Sequence, residues 1–163
     1  MAIQCLDLDS ISEDHYNLIA IHSSLPSYRL AYLLNQNLQI QLSREKEDVV
    51  FHYKDFDALY PKYQYKNHTH YQTFDLIANY YSHHLDPPKK QSNELFGNNP
   101  PLVIKKVFMP ELKKAEYLLK ITTESTNFLI SDLVKNITRI TQIITAYQVD
   151  CSKLKFKNYL IFE

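Results

Sequence analysis

Histidine is the residue type in this chain best suited to hold a metal, and its spacing singles out one pair. His68 and His70 are two residues apart, so on a β-strand both imidazoles would point to the same side, as two metal ligands do. Neither a neighbouring cysteine nor an HExxH pattern accompanies them, and a zinc site needs three or four converging ligands. His68 and His70 are the candidate ligands, but the sequence predicts no bound metal and no cofactor.

A second candidate for chemistry is the carboxylate of Glu111, which directly follows Pro110. Proline fixes φ and can begin a short turn, and a glutamate there can accept backbone N–H bonds or pair with a cation. Arg29, one of few arginines, is the expected partner of Glu111. The favoured interpretation is a structural clamp, in which Glu111 holds the turn and Tyr117 anchors the following strand. The alternative is a site for a small anion, bound by Arg29 with Tyr28 stacked beside it.

Glycine is almost absent, since Gly97 is the only one in the 163 residues. Phosphate-binding loops, dinucleotide fingerprints and nucleophile elbows need several glycines for tight turns and close backbone approach. P-loop NTPases, Rossmann oxidoreductases, kinases with a Gly-rich loop and α/β-hydrolases are therefore excluded as classes. No spacing of Ser, His and Asp singles out a nucleophile, so no catalytic residue is assigned and the sequence favours a non-enzymatic protein.

Charge and hydrophobicity limit the partners and the compartment. Lys and Arg together number 18, as do Asp and Glu, so the chain has no net charge and lacks the basic character that nucleic-acid binding uses. No apolar run is long enough for a membrane span, and the N-terminal residues do not form a signal peptide. The two cysteines, Cys5 and Cys151, are expected to be reduced thiols. These features predict a cytoplasmic protein without a membrane or nucleic-acid partner.

Hydrophobic periodicity predicts the elements that position these residues. Apolar residues at helical spacing indicate helices over 27–37 and 127–140. A polar, Tyr-rich loop is predicted at 55–67, an irregular Pro-containing loop at 82–101, and a helical turn at 110–114. Strands are predicted at 16–22, 38–42, 49–53, 70–81, 102–109, 117–121 and 143–149, with a lysine-protected edge strand along 154–162.

Two strand–helix–strand units, over 16–42 and 117–149, determine the predicted fold. Each such unit places its helix on one face of a sheet, and two of them in one antiparallel sheet give a ferredoxin-like plait. We therefore predict a single α+β domain over 1–163, with two helices on one face of a mostly antiparallel sheet and an inserted long hairpin. The other face is left to be covered by a partner, by the 82–101 loop or by tyrosines.

Residues 109–117, named here the signature segment, read MPELKKAEY and are similar to the motif of the bacterial IPExxxDY family. Met109 and Glu116 stand for the isoleucine and aspartate of that motif, and four residues separate its halves instead of three. Residues 28–31 with Asn35 resemble the family's first helix, and 76–79 its central strand. The family has no established activity, so the resemblance implies a small, uncharacterised bacterial cytoplasmic protein. Its candidate binding or structural positions here are Tyr28, Arg29, Asn35, Asn79, Pro110, Glu111, Glu116 and Tyr117.

Three functions follow from these observations. The sequence favours a non-enzymatic protein-binding or adaptor domain that acts through a face or edge of the sheet, with another protein or a second copy as partner. The abundant tyrosines support this, because tyrosine is enriched at protein interfaces. The alternatives are a small-ligand regulatory module of the plait type and a metal-dependent enzyme that uses the histidines of the hairpin.

Overall fold

Ten strands and two helices form the part of the chain that the computed structural model describes, residues 16–85, 102–125 and 128–162. The helices are α1 (Ser27–Leu38) and α2 (Ile130–Thr138). Single 3-10 turns lie at Pro110–Leu112, Cys151–Lys153 and Lys157–Leu160. The strands are β1 (Tyr16–His22), β2 (Ser43–Arg44), β3 (Val49–His52), β4 (Asp57–Tyr60), β5 (Lys62–Asn67), β6 (Gln72–Ala78), β7 (Tyr80–Leu85), β8 (Leu102–Val107), β9 (Tyr117–Thr123) and β10 (Thr145–Val149).

The main sheet has six strands in the order β10-β1-β9-β6-β5-β2, and every neighbouring pair is antiparallel. Two further hairpins, β3–β4 and β7–β8, form separate two-stranded sheets. The central strands β1 and β9 are buried on both faces; the apolar run of β1 accounts for this directly, whereas β9 also buries Lys120. An α+β class with two helices and a mostly antiparallel sheet is therefore confirmed in the described residues. No helix there is long and apolar enough to span a bilayer.

Both helices lie on the same face of the main sheet, as predicted. Leu30 and Leu34 of α1 and Ile137 of α2 pack in one cluster with Ile19 of β1 and Leu119 of β9. The spacing of Leu30 and Leu34 places both side chains on one side of α1, which is the reason this helix buries a single stripe. We call this cluster the helix-side core.

The opposite face of the sheet is covered by the chain itself, and we call that cluster the second core. Tyr60 of β4, Phe108, and Leu154 and Leu160 of the C-terminal region pack there with Leu118 of β9. A tyrosine therefore contributes to this cover, which is one of the predicted possibilities. Of the predicted 82–101 loop, residues 82–85 belong to β7 and 86–101 lie outside the described residues. The structure thus removes the argument that a partner must cover this face.

The strand predicted at 38–42 is wrong, although its alternation does bury Ile40 and Leu42. Helix α1 continues to Leu38, and Gln39 then turns the chain with a left-handed φ of 54°. The backbone of Leu42 bonds to a side chain instead of a neighbouring strand, since Asn35 Nδ2 donates to its carbonyl at 3.0 Å and Asn35 Oδ1 accepts its N–H at 2.8 Å.

Two other predicted elements are also wrong. Most of the 55–67 region is strand, because β4 and β5 lie on either side of Pro61 and leave only residues 55–56 and Pro61 outside them. Tyr60 and Tyr63, which suggested a polar loop, are buried. The 154–162 region is not a strand, because its apolar residues turn inward to the second core instead of alternating along an edge. Helix α2 is also shorter than the predicted 127–140, and residues 126–127 lie outside the described residues.

Candidate functional site

Asn79 organises the signature segment from the end of β6. Its side chain is fully buried, and Nδ2 donates to the carbonyls of Leu112 at 3.0 Å and Ala115 at 2.8 Å. Oδ1 accepts the N–H of Met109 at 2.8 Å. Both amide hydrogens and the amide oxygen are therefore used to hold the turn, because each buried polar group needs a partner.

The backbone of Asn79 fixes both ends of the same segment. Its N–H donates to the Glu116 carbonyl at 2.8 Å, and its carbonyl accepts the N–H of Phe108 at 2.9 Å. The hydroxyl of Tyr80 donates to the carbonyl of Lys113. Asn79 is thus a bridge between the central strand and the turn that begins at Pro110, whose fixed φ suits the first position of a 3-10 turn.

Glu111 is exposed and binds the C-terminal region. Its Oε1 accepts the N–H groups of Lys155 at 2.7 Å and Phe156 at 2.9 Å, and such charge-assisted bonds are stronger than neutral ones. The predicted pair with Arg29 is not formed. The reason is the fold, because Arg29 lies on α1 over the helix-side core while the turn of Glu111 packs Leu112 against the second core.

Glu116 and Tyr117 hold the connection between β1 and α1. Glu116 Oε2 accepts the N–H of Ser23 at 3.2 Å and lies 3.6 Å from Nδ1 of His22. The Tyr117 hydroxyl donates to the carbonyl of Leu25. Burial of Tyr117 raises the pKa of its hydroxyl to about 12, with nearby Tyr63 and Glu116 acting in the same direction. These contacts connect the signature segment to the helix side of the sheet.

The structure does not bring the predicted anion site together. Tyr28 is 68% exposed and Arg29 is also exposed, both on α1, whereas Glu111 lies on the other side of the sheet. Asn35 is engaged with the backbone of Leu42. A shared site of Arg29, Tyr28 and Glu111 for a small anion therefore has no geometric basis here.

The two candidate metal ligands lie in the turn between β5 and β6 and are not on a strand. His68 and His70 are both exposed, and the Asn67 side chain accepts the backbone N–H groups of Thr69 and His70. The same-side geometry of alternate strand residues therefore does not apply to them. Across residues 16–85, 102–125 and 128–162, no group of three or more His, Cys, Asp or Glu could hold a metal ion.

An open groove with a volume of about 660 Å³ lies beside β2 and β3. Arg44, Lys62, Val50 and Phe162 are among its lining residues. Two of its basic groups are already engaged, since Arg44 is paired with Asp48, and Lys62 Nζ lies 3.6 Å from the buried carboxylate of Asp75. The groove thus has the size of a ligand pocket, with a mixed-charge rim.

The strand predicted at 143–149 is β10, but the sequence prediction missed its position at the edge of the main sheet. In the described part of the chain it pairs with β1 alone, so its other side has no strand partner. Tyr147 is 40% exposed and stacks on His22, and Ile144, just before the strand, is 74% exposed. The available signal was the absence of any charged residue between Arg139 and Asp150.

Comparison with known proteins identifies neither a family nor a function for this chain. The chain matches no protein-family model, no curated protein and no solved structure. Membership of the IPExxxDY family, which the signature segment suggests, stays a prediction. A function is therefore proposed from the contacts of this chain alone.

Proposed function

We propose that this protein is a non-enzymatic protein-binding domain, an adaptor, whose docking site is the free edge of β10. An edge strand presents a row of backbone N–H and C=O groups that another extended segment can bond, which is the recognition mode called β-augmentation. The observation that carries the proposal is an edge strand without a partner in the described residues and without a charge along its length. The sequence analysis left a face and an edge of the sheet open as the binding surface, and the proposal takes the edge.

Proteins that avoid edge-to-edge pairing protect their edges with lysine, proline or bulges. Between Arg139 and Asp150 the chain has neither lysine nor proline. The strand itself is Thr-Ala-Tyr-Gln-Val, and threonine, tyrosine and valine favour extended pairing. The composition of β10 therefore suits a strand that accepts a partner.

The side chains of β10 provide the means for specificity. Tyr147 pairs with Ala20, a member of the second core, so its ring lies on the face opposite the helices. Ala146 belongs to the helix-side core. An incoming strand would contact the exposed part of Tyr147 on one face and Gln148 on the other, which distinguishes partners by their alternate residues.

A pair of double variants tests the proposal. Thr145→Lys/Gln148→Lys adds two positive charges to exposed positions of β10, and Gln41→Lys/Ser43→Lys adds the same charges at exposed positions beside the β2 edge. We expect a partner protein to be captured from native lysate by the wild type and by the Gln41→Lys/Ser43→Lys control, and lost with the β10 variant. Equal capture by both variants would contradict docking at β10.

The groove beside β2 and β3 favours a second candidate function, the binding of a small ligand. Its volume of about 660 Å³ lies within the usual range of ligand pockets, roughly 300–1,000 Å³. A thermal-shift screen of small metabolites tests it, with Val50→Trp as the control because Val50 lines the groove and a larger side chain would fill it. A stabilising compound whose effect persists in Val50→Trp would locate the ligand elsewhere.

The finer fold, the family and the compartment belong to the same proposal. The strand order β10-β1-β9-β6, with two helices on one face, supports a ferredoxin-like plait that is extended by β5 and β2. Membership of the bacterial IPExxxDY family rests on the signature segment. A cytoplasmic location is supported by the half-buried thiol of Cys151, which forms no disulfide within the described residues.

A further inference from the structure

We propose that the strand which β10 accepts is β10 of a second copy, so that two six-stranded sheets join into one continuous sheet. This inference rests on the proposed function, because both use the same edge. Two identical edges pair antiparallel about a twofold axis perpendicular to the sheet, and the contact is self-complementary. The residues of the β10 edge must therefore be able to pack against the same residues of a second copy without repulsion.

Strand self-pairing places each residue opposite a residue of the same short sequence, and like charges directly opposite each other are destabilising. With the axis at Tyr147, Thr145 would face Val149 of the second copy and Ala146 would face Gln148 of the second copy. Since no charged residue lies between Arg139 and Asp150, pairing within β10 opposes no like charges. The chain as a whole has no net charge either, so two copies do not repel at long range.

Helix α2 supplies charge complementarity beside the strand. It packs against β10, and the twofold axis that makes two β10 strands antiparallel also makes the two α2 helices antiparallel. Asp132 is exposed in the first turn of α2 and lies 3.6 Å from Nζ of Lys135 in the same helix, whereas Arg139 is exposed directly after the last turn. The acidic beginning of one helix would therefore lie toward the basic end of the other.

Ile144 adds apolar area at the same place. It is 74% exposed and directly precedes β10, and its N–H is bonded to the His22 carbonyl at 2.9 Å, which fixes its backbone to the sheet. A large apolar side chain held in place at an edge favours an interface that buries it, because buried apolar groups form the centre of stable contacts. Self-pairing of β10 would bring Ile144 close to the second copy.

Sedimentation of the full chain across a concentration series tests the inference. We expect the mass of the wild type to rise from 19.3 kDa toward twice that value. The Thr145→Lys/Gln148→Lys variant should associate more than about 10-fold more weakly, because it brings like charges together at the interface. The Gln41→Lys/Ser43→Lys control should dimerise like the wild type. Hydrogen exchange of the wild type alone should show β10 amides that become protected as the concentration rises.

Charge reversal on α2 provides an independent check. Asp132→Arg should weaken the dimer, and Asp132→Arg combined with Lys135→Asp and Arg139→Asp should restore it, since the opposite ends then attract again. A wild type that stays monomeric at every concentration would overturn the inference. A dimer that survives in the β10 variant would also overturn it. If the chain is monomeric but partner capture is lost only in the β10 variant, the adaptor function stands while self-pairing fails.

Discussion

The signature segment and the β10 edge differ in how their hydrogen-bonding groups are used. Asn79 uses its whole side-chain amide inside the molecule, and Glu111 and Glu116 accept backbone N–H groups of distant segments. The edge of β10 has no motif, yet one side of its backbone has no strand partner in the described chain. The recognisable motif therefore lies where the chain is held together, whereas the edge of β10 is where we propose that a partner binds. Variants of the two regions should therefore separate stability from association.

The largest effect is expected from Asn79→Ala. Loss of the side chain leaves the buried groups of Met109, Leu112 and Ala115 without their partner, and each unsatisfied buried group costs about 1–3 kcal/mol. The free energy of unfolding should fall by about 3–5 kcal/mol in a urea titration. Asn37→Ala is the matched control, because Asn37 is exposed and bonds only within α1. A fall below about 1 kcal/mol for Asn79→Ala would contradict the assigned role.

Glu111→Ala is expected to have the next largest effect. It removes an acceptor of two backbone N–H groups that holds the C-terminal region on the second core. Because the site is exposed, the free energy of unfolding should fall by about 1–2 kcal/mol, and by less in Glu111→Gln, whose amide oxygen can still accept. Thermal melting measures both variants. An unchanged melting temperature together with lost partner or ligand binding would reassign Glu111 to a functional site.

Tyr117→Phe should lower the free energy of unfolding by about 1 kcal/mol, because it deletes the hydrogen bond to the Leu25 carbonyl. The loss should depend on pH. The pKa of Tyr117 is raised from 10.0 to about 12 by burial, so the folded state favours the neutral hydroxyl. The stabilisation that this raised pKa gives the folded state is complete below pH 10 and is lost as the pH rises through 12. Urea unfolding at neutral and alkaline pH measures it, and a difference between variant and wild type that stays constant would contradict it.

The smallest effect on stability is expected from Thr145→Lys/Gln148→Lys. Both residues are exposed, so the free energy of unfolding should change by less than about 0.5 kcal/mol while association is lost. Urea unfolding at low protein concentration isolates the stability of the monomer. A fall as large as that of Asn79→Ala would place β10 among the structural parts of the molecule and remove the contrast between the two regions.

The spacing of apolar residues and the position of proline are enough to predict α1, β1 and the turn at Pro110. Apolar residues such as Leu30 and Leu34 specify α1 by their spacing, and the continuous apolar run of β1 specifies a buried strand. The turn at Pro110 was predicted because proline restricts its own φ. The same reasoning fails at 38–42, where the alternation predicts a paired strand but the backbone of Leu42 bonds to the side chain of Asn35.

The candidate site was less predictable, because it depends on which distant elements become neighbours. Sequence similarity pointed to Asn79 and Glu116, but their bond through the Asn79 N–H arises only once β6 and β9 pair. Arg29 and Glu111 are chemically suited to each other, yet the sheet separates them. The edge position of β10 follows from strand order, which the uncharged run between Arg139 and Asp150 does not specify by itself.

The position of β1 has a consequence for folding kinetics. It is apolar on both faces, and its neighbours β9 and β10 come from the far end of the chain, as the pairing of Leu18 with Lys120 and Val149 shows. During synthesis β1 is made long before β9 and β10, so both of its edges stay unpaired until those strands have been made. Contacts between such distant segments fold slowly and expose strands to aggregation. We therefore expect refolding to be slow for a chain of this size, with the closure of β9 and β10 around β1 as its late step.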